Sequence, residues 1–287
     1  MIKAGDIMIE RQIRNFDLKQ IADSGQCFRW RQIVADAEMV IYRIPAFGTY
    51  IDVMQQGDKF TFACTEVQWE NIWQDYFDML TDYNAIEQVI LDSDDVHLQE
   101  AFRAGNGVRI LKQDIWEIII TFMISQNNNI KRIGNSVDAL CRCCGRKFKT
   151  AGDFGLPVEE MYAFPKPGEV HEDVFEDSSM GFGYRAPYLR EMYAYTAANP
   201  QWIVELAHMS YDQAYKELIS HKGIGPKVAN CICLFGLHHV DAFPIDTHVK
   251  QLLDKYYADG FDFDRYAGFA GIIQQYLFYY ELLDSDK

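Results

Sequence analysis

The chain has 287 residues, and 49% of them are hydrophobic and 14% aromatic, which is enough for a large folded core. Because 42 acidic residues outnumber 27 lysines and arginines, the formal net charge is −15 at pH 7, and this argues against nonspecific binding of polyanions. The start lacks an apolar signal region and no stretch reaches eighteen uncharged apolar residues, so we expect no membrane association and a cytoplasmic location.

The first part of the chain, residues 1–82, predicts an antiparallel sheet domain. A short helix near residues 17–22 would start from Asp17 as its cap, and Gly48 and Gly57 would make turns between strands. The runs that are rich in aromatic and β-branched residues are 26–33, 39–44, 49–54 and 59–63.

Residues 83–287 predict a second, helical domain, so the expected fold class is α+β. Residues 148–174 are rich in Gly, Pro and acidic side chains and indicate a long surface connection with at most one short helix. Apolar residues recur three and four apart in 86–90, 115–124, 133–140, 188–195 and 211–219.

Seven cysteines form an odd, clustered set, which favours free thiols over a disulfide framework. Cys141, Cys143 and Cys144 lack a second Cys or His pair at metal-binding spacing, so we expect thiols on a helix and no metal site.

The segment 221–249 is the most informative stretch, because it combines glycines suited to a tight turn with a lysine and an aspartate that could act in catalysis. Gly223 and Gly225 can take positive φ, so their N–H groups and the following helix N-terminus would form an anion site. Lys227 would lie in the first turn of that helix, and Asp246 follows nineteen residues later. Taken alone, Gly-Ile-Gly-Pro-Lys is equally typical of an ordinary turn between two helices.

With Asp246 included, the segment resembles the helix-hairpin-helix and Gly/Pro-rich loop of a superfamily of base-excision DNA glycosylases. The resemblance implies that Lys227 marks an enzyme with both glycosylase and lyase activity, and that Asp246 balances positive charge developing at the sugar. An amine attacks an electrophilic carbon in its neutral form. This chemistry requires no metal or organic cofactor.

Further stretches resemble one branch of that superfamily, the 8-oxoguanine DNA glycosylases. The first is Ser-Gly-Gln-Cys-Phe-Arg-Trp at 24–30, and the resemblance gives the Gly25 carbonyl the task of accepting the N7 hydrogen that only 8-oxoguanine carries. The C-terminal stretch 270–278 places Gln274 on the pairing edge of the base and Phe278 on one face. Cys231, four residues after Lys227 on the same helix side, would meet the other face.

The remaining matches concern the DNA around the lesion. In Ser-Gln-Asn-Asn-Asn at 125–129, Asn127 would fill the gap left by the flipped nucleotide, and Arg132 would contact the opposite cytosine. In the stretch 180–186, Tyr184 would wedge beside the lesion and Arg185 would share the opposite cytosine. His248 would contact a phosphate.

Two positions depart from the family pattern, since Asn230 stands where an acid is expected and Gln126 replaces a small polar residue. The resemblance implies a sheet domain like the TATA-binding protein, a monomer, and a double-stranded DNA partner containing oxidised guanine. Two alternatives remain open: an endonuclease III-type glycosylase/lyase for oxidised pyrimidines, and a non-catalytic helix-hairpin-helix DNA-binding module.

Overall fold

A computed structural model describes residues 7–285. Its N-terminal part is a five-stranded antiparallel sheet in the order β1-β5-β4-β3-β2, which confirms the predicted α+β class. The strand expected over 26–33 was wrong in its first half, because residues 26–30 form an irregular turn before β2. The most N-terminal strand was missed. The strands are β1 Ile9–Gln12, β2 Arg31–Ala35, β3 Val40–Ala46, β4 Thr49–Gln56 and β5 Lys59–Phe62.

The two faces of the sheet carry different side chains. One face contributes Ile44, Val53 and Phe60 to an aromatic core that packs on the helical segments after the sheet. The opposite face buries an ion pair, in which Arg43 Nη2 lies 2.8 Å from Asp52 Oδ2. Both hairpin glycines predicted at the turns, 48 and 57, have positive φ.

Helices account for most of the remaining chain, as the sequence predicted. The expected connection over 148–174 also contains a two-stranded hairpin that was missed, β6 Lys147–Lys149 and β7 Glu160–Tyr162. The helices are α1 Leu18–Asp23, α2 Glu66–Gln68, α3 Gln74–Tyr76, α4 Tyr83–Leu91, α5 Val96–Gly105, α6 Ile115–Ser125, α7 Ile130–Cys144, α8 Ala186–Ala198, α9 Trp202–Ala207, α10 Tyr211–Ile219, α11 Pro226–Phe235, α12 Thr247–Tyr256 and α13 Ala270–Ser285.

Two apolar clusters lie on either side of the proposed boundary at residue 82. The sheet cluster extends to Met79, and the helical cluster begins at Tyr83 and includes nearly all of α6 and α11. Leu111, from the helical part, is the member that crosses into the sheet cluster. The two cores therefore share a wall next to the segment 107–114.

Arg109 joins the two parts through backbone carbonyls. Its buried guanidinium donates to the carbonyl oxygens of Asn15 at 2.8 Å, Arg14 at 3.0 Å and Asp78 at 3.1 Å. The same guanidinium lies 4.6 Å from the centroid of the Tyr83 ring. Because its three carbonyl partners lie in residues 14–78 and Arg109 itself lies in the helical part, this cation holds the end of the sheet part against the helical part.

Asp78 is a second, fully buried link between the parts. Its carboxylate accepts from Thr81 at 2.8 Å and Tyr83 at 2.9 Å, and His238 Nε2 lies 3.4 Å away. Burial alone would raise the pKa of the Asp78 carboxyl, but the nearby His238 and the two hydroxyl donors outweigh it and hold the pKa below its ordinary value.

We therefore expect Asp78→Asn to lower the free energy of unfolding at pH 7 by about 1.5–3 kcal/mol, since a charged acceptor is lost. A carboxyl with a lowered pKa stabilises the fold above its ordinary pKa of about 3.9, and that stabilisation is lost as the pH falls through the folded-state value. The difference in free energy of unfolding between the native protein and the variant should thus disappear in acid. Urea unfolding from pH 7 to 3 measures it, with exposed Asp259→Asn as the control, and a gap that is constant with pH would contradict the assignment.

Candidate active site

A small pocket between α11, α13 and the turn before β2 collects six of the residues singled out from the sequence. They are Gly25, Lys227, Cys231, Asp246, Gln274 and Phe278. The enclosed part of the pocket is small, with a volume of about 30 Å³, room for about two water molecules. The remaining lining residues are Phe122, Phe235, Pro244 and Gln275.

Lys227 lies at the second position of α11 and is half-buried. Its Nζ lies 5.4 Å from the centroid of the Phe122 ring, which stacks on Phe235 at 5.3 Å and 14°. The amine shares the pocket with the Cys231 thiol. An aromatic floor and a thiol wall thus fix the amine at the mouth of the pocket.

The Cys231 thiol is buried one turn after Lys227 on the same helix side. Burial raises the pKa of this thiol, and the neighbouring Lys227 opposes the rise only in part. Cys231 is therefore a neutral, polarizable wall at physiological pH, suited to contact with the face of a ring.

Asp246 is fixed by the helix that it begins. As the N-cap of α12 it accepts a hydrogen bond from the Val249 N–H through Oδ1 at 2.9 Å. This bond uses one carboxylate oxygen and leaves the other for the pocket that Asp246 lines. The carboxylate therefore shares the pocket with Lys227 in a set orientation.

Gly25 takes a positive φ of 76°, and the residue after it holds the turn in place. The Gln26 side chain donates to the Arg109 carbonyl at 2.8 Å and accepts from the Leu111 N–H at 2.9 Å. A Cβ on Gly25 would lie 3.3 Å from the Phe278 ring. Glycine is needed here for both its backbone angle and its small size.

Phe278 and Gln274 are one helical turn apart on α13. Gln274 is 3% exposed, whereas the Phe278 ring is half-buried. The two side chains therefore offer a polar group and an aromatic face on the same side of the helix.

The glycine hairpin between α10 and α11 differs from the expectation at one position. Gly223 has a φ of 83°, and a Cβ there would lie 2.6 Å from the Tyr188 side chain. A positive φ at Gly225 was wrong, since its φ of −91° and ψ of 178° are extended and it is the N-cap of α11. An extended N-cap directs the first free N–H groups of α11 outward without a side-chain cap, as an anion site needs.

The asparagine run lies where α6 ends and α7 begins. Asn127 is exposed between α6 and α7 with a φ of 45°, and Asn129 caps α7 by accepting from the Arg132 N–H at 2.9 Å. The Arg132 side chain is exposed. Gln126, one of the two departures from the family pattern, donates to the Gly223 carbonyl at 2.8 Å and so ties this loop to the glycine hairpin.

Arg185 is buried against that same loop. Its Nε donates to the Gln126 carbonyl at 2.7 Å and its Nη2 to the Asn127 carbonyl at 2.9 Å. Tyr184 beside it is 56% exposed, and the Arg185 guanidinium lies 4.6 Å from its ring centroid. The arginine thus holds the backbone of the asparagine loop through its carbonyls, while the tyrosine projects into solvent.

Other positions complete the comparison with the sequence. His248 is exposed in the first turn of α12 and outside the pocket. Asn230, the other departure, accepts from the Tyr211 hydroxyl at 2.7 Å and so joins α11 to α10. Phe122 was missed as a pocket residue, because nothing in a uniformly apolar helix distinguishes it from core.

Among residues 7–285, no group of three or more His, Cys, Asp or Glu side chains is arranged to hold a metal ion. Within the same range, no helix combines the length and apolar character that a membrane crossing requires.

Comparison with known proteins gives the same family from sequence and from structure. The sequence profile of the 8-oxoguanine DNA glycosylase N-terminal domain matches residues 8–119. The N-glycosylase/DNA lyase of Saccharomyces cerevisiae is 32% identical over 53% of this chain and 42% of its own length. The N-glycosylase/DNA lyase OGG1 of Arabidopsis thaliana is 30% identical over 81% of this chain and 64% of its own length. This chain therefore spans less than two thirds of these two relatives.

A solved structure covers the whole fold. The Clostridium acetobutylicum 8-oxoguanine glycosylase/lyase, in complex with double-stranded DNA containing cytosine opposite 8-oxoguanine, is 30% identical with a TM-score of 0.85. The match covers 98% of this chain and 99% of that one. The profile match over residues 8–119 and the 30% identity to this solved structure over nearly its whole length show that this chain belongs to the 8-oxoguanine DNA glycosylase family.

Proposed function

We propose that this chain excises 8-oxoguanine from duplex DNA and then cleaves the strand at the resulting abasic site. The observation that carries the proposal is the pocket in which Lys227 and Asp246 share walls with Gly25, Cys231, Gln274 and Phe278. It contains the nucleophile and the carboxylate together with the surfaces that recognise the base.

DNA binds across the face that carries the exposed Asn127, Arg132, Tyr184 and His248. The outward N–H groups at the start of α11 bind a phosphate near the lesion. The target nucleotide leaves the stack at a cost of a few kcal/mol, because its sugar carbon is inaccessible inside the duplex. Asn127 then fills the gap in the helix.

The neutral Lys227 amine attacks C1′ of the sugar as the bond from C1′ to N9 breaks, and the base leaves with a proton. Positive charge that develops on the sugar is stabilised by the free oxygen of Asp246. One proton of the attached amine passes to the departing base and the other to O4′, so that the sugar ring opens and an imine forms between Lys227 and C1′. Removal of a C2′ proton then breaks the bond between C3′ and O3′, which nicks the strand.

Discrimination against guanine rests on the Gly25 carbonyl, which accepts the N7 hydrogen of 8-oxoguanine. Ordinary guanine has no hydrogen at N7 and leaves that acceptor unpaired, which costs about 1–3 kcal/mol. Cys231 and Phe278 contact the two faces of the ring, and Gln274 bonds its pairing edge. The exposed guanidinium of Arg132 recognises the cytosine opposite the lesion.

The monomeric state and the cytoplasmic location inferred from the sequence stay predictions. The two alternatives left open by the sequence, an enzyme for oxidised pyrimidines and a non-catalytic DNA-binding module, are tested by the experiment below.

Borohydride reduces an imine to a permanent link, so it traps only an enzyme that uses an amine nucleophile. On duplexes with one 8-oxoguanine opposite each of the four bases, we expect the native protein to cross-link best opposite cytosine. Lys227→Gln should give no cross-link, whereas Lys216→Gln, an exposed change on α10, should behave as native. Trapping on thymine glycol alone would favour the pyrimidine alternative, and no trapping on either lesion would leave the binding role.

The roles of Arg132 and Arg185 can be distinguished by measuring whether the effect of each substitution depends on the base opposite the lesion. Arg132→Ala should lower single-turnover excision opposite cytosine by about 10- to 100-fold with little change opposite the other bases, since a base contact is lost. Arg185→Ala should lower excision opposite all four bases alike, since the loss falls on the loop carbonyls that it holds. A loss for Arg185→Ala confined to cytosine would instead assign it to direct reading of that base.

A further inference from the structure

A second glutamine, Gln275, lies directly after Gln274 on α13. Neighbouring residues on a helix point about 100° apart, yet both of these side chains line the pocket. Both are 3% exposed. No part of the reaction proposed above uses Gln275.

The two carboxamides are joined by a hydrogen bond. Gln275 Nε2 donates to Gln274 Oε1 at 3.2 Å. A carboxamide can turn by 180° and exchange its donor and acceptor ends. If both carboxamides turned together, a bond between them would remain, but the Gln275 amino group would occupy the buried position where its oxygen now has no partner. An orphaned buried N–H group costs more than an orphaned carbonyl, so the pair favours the orientation of Gln274 in which its oxygen accepts.

The bond uses the amino group of Gln275 and leaves its Oε1 without a hydrogen-bond donor. This oxygen is closed off from solvent and has no hydrogen-bond partner within residues 7–285. An unpaired buried acceptor destabilises a fold, and an apolar side chain of similar size would avoid that cost. The glutamine is therefore not explained by folding, and its contact with Gln274 is the contact that remains to explain it.

We propose that Gln275 is a specificity-determining positioning residue that locks the Gln274 carboxamide in the orientation that fits a guanine-type pairing edge. This rests on the proposed placement of Gln274 against that edge. The pairing edge of 8-oxoguanine presents O6 as acceptor and N1–H and N2–H as donors. The edge of 8-oxoadenine presents the exchanged pattern, with an N6 amino donor and N1 as acceptor. A locked carboxamide matches one pattern, whereas a free one turns to match either.

The test uses Gln275→Leu, which removes the donor and the unpaired oxygen together, and Gln275→Glu, which can accept but not donate. Gln275→Met is a second apolar variant that packs more adaptably if leucine disturbs the helix. Single-turnover excision is measured on 8-oxoguanine and on 8-oxoadenine, each opposite cytosine, together with the melting temperature. Gln274→Ala is the reference for loss of the pairing-edge contact.

We expect Gln275→Leu to melt at or above the native temperature, while the ratio of 8-oxoguanine to 8-oxoadenine excision falls about tenfold. Gln275→Glu should lower this ratio further, because its carboxylate attracts the Gln274 amino group and reverses the carboxamide. A purely structural residue would lose stability and both activities together, whereas a positioning residue combines unimpaired stability with lost selectivity.

Three results would overturn the inference, each in a different way. If Gln274→Ala impairs excision but every Gln275 variant keeps native selectivity, Gln275 has no positioning role and the site assignment stands. If the Gln275 variants melt lower and lose both activities in proportion, the residue is structural only. If Gln274→Ala itself excises 8-oxoguanine at the native rate, the placement of Gln274 fails and the inference fails with it.

Discussion

The pocket depends on how Gln26 is bonded to the segment that follows Gly107. One side chain in the sheet part accepts from the Leu111 N–H and donates to the Arg109 carbonyl, and the Gln26 carbonyl accepts from the Gln113 side chain at 2.9 Å. The two bonds of the Gln26 side chain are buried, so each would leave an orphaned polar group if the turn moved. They hold Gly25, which belongs to the sheet part, against Phe278 at the C-terminal end of the helical part.

A net charge of −15 is compatible with the proposed DNA-binding face because the charges are unevenly placed. Several acidic residues are used inside the protein: Asp78 is fully buried, Asp52 pairs with Arg43, and Asp246 caps a helix. The proposed DNA contacts are neutral or cationic, and the phosphate site at α11 is made of backbone N–H groups. Binding at such a face depends on local geometry more than on the field of the whole protein.

The sequence predicted six of the residues that meet in the candidate site and a good part of the fold. Residues with special backbone or chemical requirements, such as Gly25, Lys227 and Asp246, stand out because few other residue types could replace them. Strands with β-branched runs and glycine turns were found for the same reason. β1, a four-residue edge strand, and the hairpin β6–β7 were missed, since short strands depend on their partners more than on their own composition.

What the sequence could not supply was the set of contacts between distant segments. Arg185 reads as a surface arginine beside two glycines, and only the fold shows that it holds the carbonyls of the asparagine loop. Phe122 and Gln275 lie in helices whose periodicity fits plain core. Gly225 showed the limit of residue-type reasoning, because glycine permits a positive φ without requiring it.

Asp246 both caps α12 and lines the pocket with Lys227. These two roles limit how this position can change in evolution. Substitutions that cannot accept the Val249 N–H remove the carboxylate and also weaken the helix, by about 0.5–2 kcal/mol. Asparagine keeps the cap, and one nucleotide change in an aspartate codon produces it. A descendant that retains the fold without the carboxylate is therefore one mutation away, which gives a short path from the proposed excision activity to lesion binding alone.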